Sequence, residues 1–361
     1  MFVTPGGGSC LVNLGKPKRG LDLKTITLLQ PGEFAVTDTA SPPAPAAGEV
    51  SVRVRRVGIC GTDLHAYRGR QPFFTYPRIL GHELGVEVAE VGPGSATDLR
   101  PGDRCAVEPY LNCGACIACR RGKSNCCTSL KVLGVHTDGG MRDTINVPAA
   151  KLHRSRLLSL DQLALVETLG IGAHAVDRAR IERGEWALVI GAGPIGLAVL
   201  QFARAAGARI AVMDVNAERL AFCETAIGPD AAVAADGSAL ERLREIADGD
   251  LPTVVFDATG NSASMMGAFQ YVASGGRLVY VGLFLGDVTF HDPDFHRKEL
   301  TLLATRNSTG ADFVRIIGLL ETAEVDTAPW ITHRSPADAM PNAFPGWLEP
   351  GSGLLKAVVE F

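Results

Sequence analysis

The stretch YLNCGACIACRRGKSNCC, Tyr110 to Cys127, holds five of the chain's nine cysteines. Cys113, Cys116 and Cys119 repeat as C-x2-C-x2-C, and Cys127 follows after seven intervening residues. Four thiolates can close a tetrahedral zinc site with no open coordination position, which makes such a site structural. Disulfides are the alternative reading, disfavoured where thiols stay reduced. A redox C-x-x-C fits less well, because three cysteines share the register and no thioredoxin-like pattern surrounds them.

A second chemistry-bearing segment is VIGAGPIGLAVLQFA, where Gly191-x-Gly193-x-x-Gly196 lies between an apolar strand and a helix opened by Pro194 and Ile195. Gly191 permits a tight turn, Gly193 lets backbone approach a pyrophosphate, and Gly196 allows close helix packing. The helix N-terminus offers free N–H groups to phosphates. Asp214 ends the next strand, 18 residues after Gly196 (214 − 196). A carboxylate there binds the ribose hydroxyls and repels a 2′-phosphate, so NAD is expected over NADP. Arg219 is read as an adenine-stacking or locally paired residue.

A third set is dispersed: Cys60, Thr62, Asp63 and His65 in GICGTDLH, His82 and Glu83 in GHELGVEV, and Glu167 in LVETLG. Singly, each has a bland reading. Cys60 serves as a small buried hydrophobe, His82 as a loop histidine, and Glu167 as a helix-surface carboxylate. Their company beside a dinucleotide motif changes the weighing. Together with VIGAGPIGLAVLQFARAAGA and the four-cysteine segment, they resemble the zinc-dependent alcohol dehydrogenases of the medium-chain dehydrogenase/reductase family, over nearly the whole chain from about Leu23. LALVETLGIGAHAV is similar to the branch acting on polyols, threonine and sugar acids.

The resemblance implies two zinc ions per subunit and NAD. Catalytic zinc would be held by Cys60, His82 and Glu167, with Glu83 beside it or taking turns as a ligand, and structural zinc by Cys113, Cys116, Cys119 and Cys127. The family spacing selects Cys127 over Cys126. It further implies that Asp63 orients the zinc histidine and that Thr62 and His65 form the proton path from the substrate hydroxyl. The expected reaction is oxidation of a secondary hydroxyl of a polyol or sugar acid, of galactonate or gulonate type, to a ketone. Threonine or simple alcohols are the alternative substrates. A non-catalytic dinucleotide-binding regulator is disfavoured by the complete ligand and relay set. LLATRNSTGADF is similar to the matching segment of sugar-acid dehydrogenases, which makes Arg306 and Asn307 substrate candidates. Arg306 could take a carboxylate bidentately or serve a structural contact. Glu108 is a pocket candidate with a loop salt bridge as its alternative, and Phe73 and Phe74 could wall the site or simply pack.

These residues need elements to hold them. LKTITLL, EVSVRVRRVGI and GVEVAEVG read as short strands separated by Gly/Pro turns, a β-rich domain. From about Glu185, strand alternates with helix: WALVIGAG, PIGLAVLQFARAAG, RIAVMD, AERLAFCETAI, TVVFDATG, GRLVYVGL. That alternation predicts a parallel sheet with helices on both faces. The expected fold is therefore α/β, a doubly wound Rossmann sheet over 166–302 inserted in a β-rich catalytic domain of residues 23–165 and 303–361. The resemblance gives that second domain a GroES-like form. GLLKAVVEF is expected to return to the first domain, and GRLVYVGLF is the candidate edge strand for a homodimer or homotetramer. Residues 1–22 are Gly-rich and expected to be poorly ordered, with a start near Leu23 as an alternative.

The bulk composition fits this. At 361 residues, 46% hydrophobic and 20% charged, the chain has room for about two domains. Its net charge of −4, with no run of like charge, argues against nucleic acid or anionic membrane as main partner. No apolar run reaches the roughly 18–20 residues that span a bilayer, and no secretory h-region opens the chain. A cytoplasmic enzyme of small alcohols is the expectation.

Overall fold

The computed structural model describes residues 23–71 and 74–361. The N-terminal extension 1–22 and Phe73 lie outside the described residues.

Two sheets divide the work. The first has seven strands. Along its path Leu152–Ser155, Arg104–Val107, Glu83–Val91, Glu49–Ile59, Lys356–Glu360 and Ile331–Pro336 are neighbours, and Thr144–Pro148 also pairs with Glu49–Ile59. Val50, Val52, Val54 and Val57 bury one row of Glu49–Ile59 with Ile145, Val86 and Val359. The last strand does return to the first domain: Ala357 lies opposite Ile59 and Val359 opposite Val57, antiparallel. A smaller three-stranded sheet, Leu23–Gln30 with Glu33–Thr39 and Arg78–Ile79, covers one end.

The second sheet is wholly parallel. Its order is Ala231–Ala234, Arg209–Asp214, Trp186–Ile190, Val254–Asp257, Arg277–Tyr280, Thr301–Ala304. This is the doubly wound arrangement, with the glycine turn after the first strand at the switch point. Two expectations need correction. Arg277–Tyr280 is not an edge: it pairs on both sides, and the edge is Thr301–Ala304. That strand also crosses the expected boundary at 302. After it, helix Gly310–Glu321 packs on helix Leu160–Ala179, and the chain rejoins the first sheet only at Ile331.

Helix Leu160–Ala179 joins the halves. Ser159 and Gln162 close a reciprocal capping box at its start (Gln162 N–H to Ser159 Oγ 3.2 Å, Ser159 N–H to Gln162 Oε1 2.9 Å), and Arg180 in the left-handed region ends it. The helix is buried nearly all round because it packs on strand Glu83–Val91 on one side and helix Pro194–Ala205 on the other. It therefore carries Glu167 between the two domains.

Candidate catalytic centre and zinc lobe

Cys60 ends strand Glu49–Ile59 and caps the short helix Gly61–Tyr67, whose Asp63 reaches back to accept from the Cys60 N–H at 2.9 Å. His82 and Glu83 begin the neighbouring strand. Adjacent strand ends thus bring together ligand atoms of Cys60, His82 and Glu83, all within 4.8 Å of one another. Glu167 stands beside them without joining that set. It is 5% exposed, and the Tyr110 hydroxyl donates to its Oε1.

The electrostatics of the cluster call for a cation. Burial opposes charge on His82, yet Asp63, Cys60 and Glu167 outweigh it and hold the ring well above its usual pKa. Burial raises the Asp63 and Glu167 carboxyls. Asp63 Oδ1 and His82 Nδ1 are buried without hydrogen-bond partners, facing each other at 3.8 Å. A sulfur, an imidazole and carboxylates in this state form a donor set that suits zinc, and Asp63 stands where an orienting carboxylate belongs.

One neutralising group escaped the sequence reading. Lys356, on the last strand, places Nζ 2.6 and 2.7 Å from the two Glu83 oxygens and donates to Ile59 O at 3.2 Å. Room for this exists because residue 58 is glycine: a Cβ there would lie 2.1 Å from Glu83 Oε2. A signal was present in GLLKAVVEF, since a lysine inside an apolar strand needs a buried partner. Tyr110 gave none.

On helix Gly61–Tyr67, Thr62 is half-buried and His65, three positions on, is exposed. Positions i and i+3 share a helix face. Burial, with Arg68 and Arg70 nearby, holds His65 below its usual pKa.

In the lobe, the sulfurs of Cys113, Cys116, Cys119 and Cys127 also lie within 4.8 Å of one another. Backbone N–H groups point at them: Cys116 N to Cys113 Sγ 3.4 Å, Cys113 N to Cys127 Sγ 3.3 Å and Ser129 N to Cys127 Sγ 3.4 Å. Such donors favour thiolate. The N–H groups of Cys119 and Thr128 draw Cys116 down to about 5, while burial and the Cys116 sulfur push Cys119 up to about 11. Cys126 is exposed and outside the set.

At the nucleotide site, Gly191 has φ +99°, and a Cβ on Gly196 would sit 1.8 Å from Gly191 O, so neither position accepts a side chain. Gly193 caps the helix and Pro194 opens it, with Ile195 next. Asp214 accepts from Ala192 N at 2.6 Å and Asn216 N at 2.8 Å, which fixes the carboxylate beside the glycine turn with lone pairs to spare. Arg219 reaches over this turn, 3.8 Å from where a Gly193 Cβ would be.

The substrate candidates fare differently. Glu108 is buried and spent on Lys151 Nζ (2.5 Å) and His153 Nε2 (3.2 Å), the loop ion pair rather than a pocket wall. Arg306 is exposed and lines a groove with the zinc lobe, among whose lining residues Cys60, His82, Glu83 and Glu167 do not appear. Asn307 is half-buried at φ +51°, its Nδ2 without a partner. Phe74 packs on Tyr76, ring centroids 5.1 Å apart.

Comparison with known proteins agrees with this construction. Residues 46–156 match the alcohol dehydrogenase GroES-like domain, and residues 194–322 match the zinc-binding dehydrogenase domain. The chain is 39% identical over 88% of its length to L-galactonate-5-dehydrogenase of Escherichia coli K12, covering 94% of that protein. It is 33% identical over 88% of its length to 2-dehydro-3-deoxy-L-galactonate 5-dehydrogenase of Pseudoalteromonas atlantica, covering 93% of it. The structure of the alcohol dehydrogenase rspB from E. coli CFT073, complexed with cofactor NADH, superimposes with a TM-score of 0.87 at 30% identity, covering 95% of this chain and 100% of that one. With both domain models matched and relatives 39% and 33% identical over most of their length, the chain belongs to the zinc-type medium-chain alcohol dehydrogenase family.

Proposed function

We propose that this protein oxidises a secondary hydroxyl of a sugar acid or related polyol, of galactonate type, to the ketone with NAD as hydride acceptor. The observation that carries it is the Cys60–His82–Glu83 cluster, flanked by Glu167, in a chain 39% identical to L-galactonate-5-dehydrogenase. Cys60, His82 and a carboxylate from Glu83 or Glu167 would hold zinc, which supplies a Lewis acid that lowers the pKa of a substrate hydroxyl. NAD, held at Gly191–Gly196 and by Asp214, supplies the hydride acceptor.

The chain's own residues do the rest. Thr62 accepts the hydroxyl proton's hydrogen bond. His65, on the same helix face and kept neutral at pH 7 by its lowered pKa, passes the proton to water. Tyr110 fixes the orientation of Glu167, and Lys356 offsets the charge of Glu83. The four lobe cysteines would hold a second, structural zinc, in keeping with a cytoplasmic setting. The free edge Thr301–Ala304, with Leu283 and Leu285 exposed near that end of the sheet, supports a homodimer or homotetramer.

The test is NAD reduction over aldonates, polyols, amino alcohols and simple alcohols. The expectation is a kcat/KM for aldonates such as L-galactonate at least about tenfold above simple alcohols, one charged hydrogen bond's worth. Zinc-loaded protein that turns over none of these compounds would overturn the proposal.

A further inference from the structure

Glu108 belongs to a chain of side chains that ends on a lobe sulfur. It follows strand Arg104–Val107 and is 2% exposed. Its Oε1 accepts from Lys151 Nζ at 2.5 Å, and its Oε2 lies 3.2 Å from His153 Nε2. The ammonium has a second acceptor: Lys151 Nζ donates to Asn112 Oδ1 at 2.9 Å. Asn112 Nδ2 in turn donates to Cys119 Sγ at 3.7 Å.

Chemistry fixes the direction of these contacts. An ammonium only donates, so the Asn112 oxygen must face Lys151 and its NH2 group must face the sulfur. Glu108 stands behind Lys151, which turns the positive end of the ion pair toward the lobe. Four thiolates outweigh the charge of one zinc ion, and N–H groups aimed at sulfur draw that excess away. Cys113, Cys116 and Cys127 accept from backbone N–H groups at 3.3–3.5 Å. Cys119 is different. Burial and the Cys116 sulfur push it up to about 11, and among the groups opposing them the Asn112 side chain comes ahead of the Gly114 N–H. The anchor behind Asn112 is rigid. Glu108 N–H donates to Lys151 O at 2.8 Å, and the two residues flank strands Arg104–Val107 and Leu152–Ser155, which pair in the first sheet.

We infer that Lys151 and Asn112 are positioning residues of the lobe's metal site. The buried Glu108–Lys151 pair, held on the first sheet, aims the Asn112 amide at Cys119 and keeps that sulfur in place as a thiolate on zinc. The inference rests on the zinc reading of the lobe. It gives Glu108 a task at the lobe, two residues removed from the metal.

The experiment titrates zinc-loaded protein with a competing chelator. The lobe's step is the one that Cys127→Ser lacks. Asn112→Leu removes the donor at similar volume, and the lobe's zinc affinity should fall about 10- to 100-fold. In cobalt-substituted protein the same change should move the sulfur-to-cobalt charge-transfer band to longer wavelength, because a sulfur relieved of an N–H bond gives up charge more readily. A general loosening of the fold does not move that band. Lys151→Met/Glu108→Gln removes the ion pair without leaving either charge alone. It should weaken lobe zinc as well, and adding Asn112→Leu to it should weaken the site little further, because the two changes act through one contact. An Asn112→Leu affinity within about twofold of the parent's, an unmoved band, or full additivity of the two changes overturns the inference. Should Asn112→Leu fail to fold, Asn112→Asp, isosteric and unable to donate, carries the same two readouts. Parent protein that loads only one zinc ion refutes the zinc reading of the lobe and the inference with it. Two zinc ions in the parent with unaffected variants refute the inference alone.

Discussion

Replacing Lys356 by Met removes one ammonium from the interior and takes from Glu83 the cation that holds both its oxygens, leaving His82 as the nearby counter-charge. The pair is 2% and 1% exposed, with Nζ at 2.6 Å from the nearer oxygen. Burial opposes the charge on Lys356, but Glu83, Cys60 and Glu167 outweigh it and raise its pKa above 10.5. Its contribution is therefore full below about pH 10 and lost only as pH rises through the folded value. Breaking such a pair from one side costs about 3–5 kcal/mol. Unfolding entropy of about 2.1 cal/mol/K per residue gives about 0.4 kcal/mol/K for a cooperative unit of roughly 180 residues, so Tm should fall by about 8–13 °C in zinc-stripped protein. Zinc gives the freed carboxylate a new partner, so the loss should be smaller in zinc-loaded protein. Adding Glu83→Gln to Lys356→Met should recover much of the deficit, since a neutral amide is less costly to bury than an unpaired carboxylate. Scanning calorimetry on stripped and loaded protein reads all three. A stripped Lys356→Met protein melting within about 2 °C of the parent, or a double variant no better than the single one, would refute the reasoning.

Three further outcomes are expected. Cys126→Ser should keep two zinc ions per chain by elemental analysis, while Cys127→Ser, which removes a sulfur accepting two backbone N–H bonds, should keep one. Asp214→Asn should raise the KM for NAD about 10- to 150-fold, the loss of hydrogen bonds to a charged acceptor, and change that for NADP less. His65 must be neutral to accept the proton, and its pKa is lowered, so the parent's rate should rise with pH along a limb below 6.5. His65→Gln should remove that limb from the kcat profile.

Short-range chemistry was the part most legible in the sequence. C-x2-C-x2-C, the glycine turn and GICGTDLH each encode contacts within a few residues, and the structure brings each group together. Alternation of strand and helix gave the parallel sheet, but not the sixth strand, Thr301–Ala304: half of it fell beyond the expected boundary because TLLATRNS carries no turn signal before it. What stayed hidden were pairings set by tertiary closure. Glu83 and Lys356 are 273 positions apart, Tyr110 and Glu167 are 57 apart, and His174 and Asp312 are 138 apart. Glu108 looked available because its partners, Lys151 just before strand Leu152–Ser155 and His153 on it, are brought alongside only by the fold. Arg306 was a substrate candidate through the resemblance of LLATRNSTGADF to sugar-acid dehydrogenases, and its backbone is tied to Asn125 in the lobe.

The strand Lys356–Glu360 also sets a timetable. It leaves the ribosome long after Cys60, His82 and Glu83, yet it lies against Glu49–Ile59 and delivers the ammonium beside Glu83. Until it arrives, three carboxylates and a thiol crowd one pocket with no lysine among them, and the sheet edge at Ile59 is open. A nascent chain can form the parallel sheet and gather the lobe cysteines first, whereas the pocket around Cys60 reaches its finished charge state only at the end of synthesis. Loss of those few final residues would thus strip the pocket of its lysine and also unpair Ile331–Pro336 from the rest of the first sheet.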